Sequence, residues 1–200
     1  MKRESPITLA TWITLARICL VPVFAVLAVK YSASISSGET LESLRWWAIA
    51  AFVTAASSDG LDGFIARHFN QQSKLGAILD PIADKFLLLT AIITLSLSPW
   101  GDQNWHIPLW VTALIISRDI IILGGIVILY YLKRDVPIEP SWLGKICTIT
   151  QMTLITCVML KWSAIPIIYP AVITVIATLW SGIRYVRQGF QIHFKALQTP

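Results

Sequence analysis

The chain has 200 residues, of which 56% are hydrophobic and only 14% are charged, and its mean hydropathy is +0.68. This composition excludes the aqueous globular classes and indicates a protein that crosses a membrane several times. The formal net charge of +5 does not indicate nucleic-acid binding, because the Lys and Arg residues lie between apolar runs instead of forming a basic stripe with interleaved aromatic residues.

Six apolar segments follow one another along the chain, and each is close to the length of about 20 residues that a membrane-spanning helix requires. We therefore expect an all-α integral membrane protein in which residues 1–200 form one membrane domain. The six transmembrane helices are predicted near 8–30, 46–69, 77–98, 108–132, 144–161 and 165–188.

The connections between these segments differ in charge. Ten basic residues lie in the terminal arms and even-numbered loops, namely Lys2, Arg3, Arg67, Lys74, Lys133, Arg134, Lys145, Arg184, Arg187 and Lys195. Three lie on the other side, namely Lys30, Arg45 and Lys161. This excess predicts that both termini and the 68–76 connection face the cytoplasm, with a bacterial inner (plasma) membrane as the expected location.

Tryptophan residues lie at the ends of the predicted spans on the opposite side of the membrane. They are Trp46, Trp47, Trp100, Trp105 and Trp110. Amphipathic rings at this depth are typical of an interfacial aromatic belt, so we expect all five to be anchors. The segment 32–38 (SASISSG) is expected to form a turn on this side.

Four aspartates lie within residues 59–84, in the neighbouring ends of two predicted membrane-spanning segments. Asp59 and Asp62 are three residues apart and Asp80 and Asp84 are four apart, so each pair shares one face of a helix. An ionised carboxylate at the centre of a membrane helix costs about 2.5 kcal/mol or more, which favours a functional role. Two such roles are a proton or sodium relay in a transporter and a metal site.

The residues around the aspartates favour the metal site. Carboxylates that converge from two helices suit Mg²⁺ or Mn²⁺, and four of them carry enough charge for two ions. Gly60 and Gly63 leave room for a bulky ligand beside the first pair, and Arg67 adds a positive charge. Metal ions together with an arginine are suited to binding a diphosphate.

The same region has the pattern D-x2-D-G-x2-A-R-x8-G-x3-D-x3-D, which resembles the signature of the CDP-alcohol phosphotransferase family. The matching residues are Asp59, Asp62, Gly63, Ala66, Arg67, Gly76, Asp80 and Asp84. The six-span layout is similar to the family's membrane domain over nearly the whole chain. The resemblance implies that two divalent ions bound by the four aspartates bridge the diphosphate of a CDP-linked lipid, and that Asp84 is also the general base.

The resemblance extends to the residues that contact the CDP-linked lipid. Gly63, Arg67 and Ser73 match positions that contact the nucleotide and its phosphates. In the first helix, Thr11, Thr14 and Arg17 resemble the family's Asn-x-x-Thr-x-x-Arg segment near the nucleotide, with threonine at the usual asparagine position. The implied reaction is attack by an acceptor hydroxyl on the β-phosphorus of CDP-diacylglycerol, with release of CMP. Homodimers are common in the family, so a homodimer is a further expectation.

Two basic residues outside the signature are candidates for binding the acceptor. Arg118 and Lys145 are expected to line a pocket for the phosphate group of this second substrate. A structural alternative pairs Arg118 with Asp119 or with a carboxylate of the signature. The segment that contains Lys145 (SWLGK-x2-T-x2-QM) resembles that of phosphatidylglycerophosphate synthases, whose acceptor is glycerol 3-phosphate. The RDIIILGG stretch is also similar to CMP-forming cardiolipin synthases, whose acceptor is phosphatidylglycerol.

An ion-coupled transporter is an alternative from a different class of protein. The lack of an obvious inverted repeat in the sequence disfavours it.

Overall fold

The computed structural model describes residues 9–68, 74–98, 100–101, 105–131 and 142–198, with side chains described for 12–58, 79–80, 82–98, 100–101, 105–125 and 142–187. Over these residues the chain forms six α-helices. They are α1 (Leu9–Ser36), α2 (Glu42–His68), α3 (Lys74–Leu97), α4 (Leu109–Tyr131), α5 (Trp142–Met159) and α6 (Ile168–Gln198). The predicted all-α class is therefore confirmed for the described part of the chain.

Helix α1 continues past its predicted end at residue 30 and stops at Ser36, so the expectation of a turn over 32–36 was wrong. The serines are accommodated in this helix with their hydroxyls satisfied, because they donate to carbonyls about one turn earlier, from Ser34 to Tyr31 (2.7 Å) and from Ser36 to Ser32 (3.2 Å). The chain turns at Gly38, whose φ of 81° is in the left-handed region that glycine adopts without strain.

The chain divides into two compact units, Met1–His106 and Ile107–Pro200. In the first unit, α1 packs against both α2 and α3. Small residues at the contacts let the backbones approach closely, and Ala28, Ala48, Ala55 and Ala83 are all completely buried. Phe24 of α1 meets Phe52 of α2 with ring centroids 5.6 Å apart. Van der Waals packing of α1 against its two neighbours therefore organises this unit.

Trp100 closes one end of the first unit and is not an interfacial anchor. Its side chain has 0% exposure and packs edge-on against Tyr31 with ring centroids 5.0 Å apart. Its backbone N–H donates to the Trp105 carbonyl at 3.0 Å, which brings these two residues together after the end of α3. The anchor prediction was wrong at this position because local chain reversal buries the ring, whereas Trp46 and Trp47 are exposed as expected.

In the second unit, α6 packs against both α4 and α5. Threonines of α6 supply polar contacts at the α5 side: Thr174 donates to the Thr150 carbonyl at 3.1 Å, and the Thr178 hydroxyl lies 3.5 Å from the Cys147 thiol. On the α4 side, Gly182 lies beside the Arg118 side chain, and a Cβ at this position would be in ordinary van der Waals contact with Cγ of Arg118 at 3.5 Å. Small and hydroxyl-bearing residues thus provide the helix contacts of this unit as well.

Large apolar side chains face outward on helices of both units. Examples are Val26, Val29, Ile120, Leu123 and Ile176. Among the described residues, three stretches are long and apolar enough to cross a membrane, namely Trp12–Ser36, Trp142–Met159 and Ile168–Arg187. Outward-facing apolar surface of this kind requires lipid contact, so the chain is a membrane protein.

Candidate active site

Two of the four signature aspartates have described side chains, and both lie on α3. Asp80 and Asp84 are separated by one helical turn and both are partly exposed. The buried hydroxyl of Thr14, on α1, donates to Oδ1 of Asp80 at 2.7 Å. This pairing places the TWITLAR segment of α1 directly against the carboxylates of α3.

One helical turn further along α1, Arg17 makes the corresponding contact with Asp84. Nη1 of Arg17 donates to Oδ1 of Asp84 at 2.6 Å, across 67 positions of sequence. The arginine side chain has 0% exposure, whereas that of Asp84 is 42% exposed. The ion pair therefore has a buried positive end and an accessible negative end, and the accessible end is the predicted general base.

Arg17 also contacts α2 through a residue that the sequence analysis did not identify. Its Nε donates to Oγ of Ser58 at 3.2 Å, and Ser58 in turn donates to the Ala55 carbonyl at 2.7 Å. Ser58 immediately precedes Asp59 in the sequence. Its role had no sequence signal, because a serine in an apolar helix is typical of a small packing residue.

The remaining signature residues lie outside the described side chains. Helix α2 includes the backbone of Asp59, Asp62, Gly63 and Arg67, and α1 includes that of Thr11, whereas Ser73 is outside the described residues altogether. The described side chains contain no group of three His, Cys, Asp or Glu residues that could hold a metal ion. The four-aspartate site thus stays a prediction.

The described part of that site has suitable ligands for a divalent cation. Asp80 and Asp84 present hard carboxylate oxygens from one helix face, which is the ligand type that Mg²⁺ and Mn²⁺ prefer. An ionised carboxylate offers about four lone-pair positions, so accepting a hydrogen bond from Thr14 or Arg17 is compatible with binding a cation. The donors on α1 would also orient the ligands, as outer-shell partners do in metal sites.

A second buried arginine lies in the other unit. Nη1 of Arg118, on α4, is 2.7 Å from Oδ1 of Asp119, and its Nη2 donates to the Ser181 hydroxyl of α6. The Tyr185 ring, one turn along α6, has its centroid 5.8 Å from Cζ of Arg118. The structural alternative for Arg118, pairing with Asp119, is confirmed as a contact, and Ser181 and Tyr185 are additional partners that the sequence analysis did not assign.

The guanidinium of Arg118 also has unused hydrogen-bonding capacity. Its side chain is only 11% exposed, and its buried Nε has no hydrogen-bond partner among the described residues. Leaving a buried donor without an acceptor costs about 1–3 kcal/mol. A ligand that accepts from Nε would recover that cost.

Lys145, the other predicted acceptor residue, is exposed on α5, with Nζ 5.4 Å from the centroid of the Trp142 ring. The hydroxyls of Thr148 and Thr150 donate to carbonyls of their own helix, those of Gly144 and Cys147 respectively. Gln151 is buried and donates to the Cys147 thiol at 3.4 Å. The polar side chains that follow Lys145 on α5 are thus bonded within their own helix, whereas the ammonium of Lys145 is exposed.

These features define a class before any comparison: an all-helical membrane protein in which carboxylates on one helix are paired with polar residues of another. Residues 7–182 match the sequence model of the CDP-alcohol phosphatidyltransferase family. The chain is 36% identical to a probable phosphatidylglycerophosphate synthase of Mycobacterium tuberculosis, over 92% of this chain and 82% of the relative. It is 31% identical to the CDP-diacylglycerol--glycerol-3-phosphate 3-phosphatidyltransferase of Escherichia coli K12, over 88% of this chain and 91% of the relative. The chain belongs to the CDP-alcohol phosphatidyltransferase family.

Proposed function

We propose that this chain is a phospholipid-synthesising transferase that moves the phosphatidyl group of CDP-diacylglycerol to glycerol 3-phosphate, forming phosphatidylglycerophosphate and CMP. The observation that carries the proposal is the partly exposed Asp84 carboxylate, paired with buried Arg17 inside a complete family signature. Relatives with this activity in their names align over most of the chain. The single family match over 7–182 supports treating residues 1–200 as one functional domain.

In this reaction the acceptor hydroxyl oxygen forms a bond to the β-phosphorus, and the bond from that phosphorus to the bridging oxygen breaks. CMP leaves with the electron pair, and Asp84 accepts the proton of the attacking hydroxyl. A general base must have access to its substrate, and the Asp84 side chain has that access with 42% exposure. Thr14 and Arg17 hold the two α3 carboxylates from the buried side.

The charge of the diphosphate requires positive partners. Two divalent cations, Mg²⁺ or Mn²⁺, held by Asp59, Asp62, Asp80 and Asp84, would neutralise its oxygens when bound. Arg67, Gly63 and Ser73 would contact the nucleotide and its phosphates, as would Thr11 through its hydroxyl. The carboxylates of α3 and the segment of α1 opposite them would thus bind the donor substrate.

For the acceptor, we assign the phosphate group of glycerol 3-phosphate to Arg118 and Lys145. Arg118 has a buried Nε without a partner among the described residues, and a phosphate oxygen accepts hydrogen bonds from a guanidinium in a well-defined geometry. Asp119 and Ser181 already hold two other nitrogens of the group. The arginine would therefore be oriented before the acceptor arrives.

The proposed location is a bacterial inner membrane, with six spans and both termini in the cytoplasm. The excess of Lys and Arg in the terminal arms and even-numbered loops supports this orientation. Helix α4 reads LWVTALIISRDIIILGGIVILYY, with Arg118 and Asp119 as its only charged residues, and they are paired. The carboxylate site would then face the cytoplasm, where nucleotide and glycerol 3-phosphate are available. A homodimer is part of the proposal through the family alone.

Purified protein in detergent, supplied with CDP-diacylglycerol, Mg²⁺ and glycerol 3-phosphate, should release CMP and form phosphatidylglycerophosphate. Mass spectrometry of the lipid product and a CMP assay measure both. Release of CMP only when phosphatidylglycerol replaces glycerol 3-phosphate would transfer the function to cardiolipin synthesis. Cation-driven uptake into vesicles without CMP release with any acceptor would contradict a transferase.

A further inference from the structure

Arg17 is enclosed to a degree that does not suit direct substrate contact. Its side chain has 0% exposure, and both Nε and Nη1 already donate to protein oxygens. A buried guanidinium is costly unless its charge is paired and its N–H groups are hydrogen-bonded. The burial and the partners of Arg17 therefore indicate a group that acts on other side chains.

The hydroxyl of Ser58 has a defined direction. A serine hydroxyl carries one hydrogen, and that hydrogen is donated to the Ala55 carbonyl at 2.7 Å. The oxygen is thereby left with lone pairs only, and it accepts from Nε of Arg17 at 3.2 Å. Ser58 is consequently a fixed acceptor on α2, set by its own helix backbone.

The planar guanidinium of Arg17 links the fixed hydroxyl of Ser58 to the Asp84 carboxylate. Because the N–H groups of arginine form a rigid fork, fixing Nε on Ser58 also fixes the direction of Nη1. Nη1 then meets Oδ1 of Asp84 at 2.6 Å. A side chain of α1 thus joins a fixed point on α2 to the reactive carboxylate on α3.

We propose that Arg17 is a positioning residue for the Asp84 carboxylate, and that Ser58 holds Arg17 in the orientation this requires. This inference rests on the proposed function, in which Asp84 is the general base. It replaces the expectation that Arg17 contacts the nucleotide. Holding Oδ1 fixes the plane of the carboxylate, which matters both for accepting a proton and for binding a cation. A lysine cannot reproduce this, because its ammonium is a single point on a flexible stem.

Three variants test the proposal: Arg17→Lys keeps the charge without the fork, Ser58→Ala removes the acceptor of Nε, and Ser57→Ala is the matched control. Ser57 is the neighbouring serine on α2 and is exposed. Binding of Mn²⁺ to each purified protein, without lipid substrate, is measured by electron paramagnetic resonance, and kcat and KM for CDP-diacylglycerol are measured separately.

Arg17→Lys should weaken Mn²⁺ binding and lower kcat by about tenfold or more, which is the usual effect of losing an outer-shell partner of a metal ligand. Ser58→Ala should lower Mn²⁺ affinity and kcat by about three- to tenfold. At saturating Mg²⁺, which fills the metal site in every variant, KM for CDP-diacylglycerol should stay near wild type in both. Ser57→Ala should change nothing. If Arg17→Lys fails to fold, Ser58→Ala alone decides the outcome.

Unchanged Mn²⁺ binding together with a raised KM for CDP-diacylglycerol would indicate that Arg17 contacts the nucleotide, and it would overturn the proposal. Equal losses in Ser57→Ala and Ser58→Ala would also overturn it. The proposed function fails separately: a wild-type protein that releases no CMP contradicts the transferase, whereas the differences in Mn²⁺ binding between the variants still test the positioning of the carboxylate.

Discussion

Among the residues with described side chains, Arg17 of the first unit and Arg118 of the second both lie in largely apolar helices with little or no exposure, but the two arginines are paired differently. Arg17 contacts side chains that are 41 and 67 positions away, on two other helices. Arg118 contacts its own neighbour Asp119 and one hydroxyl of α6. The carboxylate partner of Arg17 lies on another helix, whereas that of Arg118 is the adjacent residue.

The two ion pairs also differ in which of their side chains is exposed. In the first unit the arginine is completely buried and its carboxylate partner is 42% exposed. In the second unit Asp119 is 8% exposed and Arg118 is 11% exposed, with an Nε that lacks a partner among the described residues. The first pair therefore has an accessible carboxylate, whereas the second has a nearly buried guanidinium with one donor that lacks a described partner. We propose on this basis that the first pair provides the base and a metal ligand and that the second serves anion recognition.

The strongest test of this comparison replaces the two aspartates in turn. Asp84→Asn should lower turnover at least about a hundredfold, because an amide cannot act as a general base. Asp119→Asn makes the same change beside Arg118. It should leave kcat within about tenfold of wild type, because Arg118 is proposed to bind the acceptor and not to take part in the chemical step. Steady-state CMP release measures both. Comparable losses of kcat in the two variants would remove the distinction between the pairs.

Removing the charge of Arg118 should change binding of one substrate only. Arg118→Gln is expected to raise KM for glycerol 3-phosphate by about ten- to a hundredfold, which corresponds to a lost hydrogen bond to a charged group. KM for CDP-diacylglycerol should stay unchanged. Arg45→Gln is the control, since Arg45 is paired with Glu42 at the start of α2, and it should alter neither constant. A rise in KM for the nucleotide lipid would contradict the assignment.

Sequence and structure agree best where the physical constraint is local. Apolar runs of sufficient length predict helices, and the four aspartates stand out because charge is costly in such runs. Contacts between helices depend on rotation and depth, which periodicity leaves undetermined in helices that are apolar on nearly all sides. The pairing of Arg17 with Asp84 and the contribution of Ser58 were therefore not predictable, although Thr14 and Arg17 were identified by resemblance. Trp100 was misassigned because its burial follows from a chain reversal that composition does not encode.

The hydroxyl of Ser181 is expected to have a smaller effect than the charge it accompanies. Ser181 is completely buried and accepts from Nη2 of Arg118. Ser181→Ala should raise KM for glycerol 3-phosphate by about three- to tenfold and leave kcat unchanged, because a misoriented guanidinium still carries its charge. Ser117→Ala is the matched control next to Arg118, since the Ser117 hydroxyl is exposed and donates to the Leu114 carbonyl. If the control raised KM as much, the orientation argument would fail.

The two units also differ in the residue that closes a helix. Gly38 follows α1 with a φ of 81°, whereas Lys161 follows α5 with a φ of 50° and carries its side chain in that strained region. A Cβ on Gly38 would meet nothing within 4 Å, so Gly38→Ala tests conformational strain alone. We expect a loss of about 1–2 kcal/mol in stability, read as a lower melting temperature in detergent. Gly38→Asn should lose less, because asparagine tolerates left-handed backbone through local hydrogen bonding. Equal losses for the two substitutions would mean that the asparagine side chain makes no local hydrogen bond that offsets the cost of the left-handed backbone.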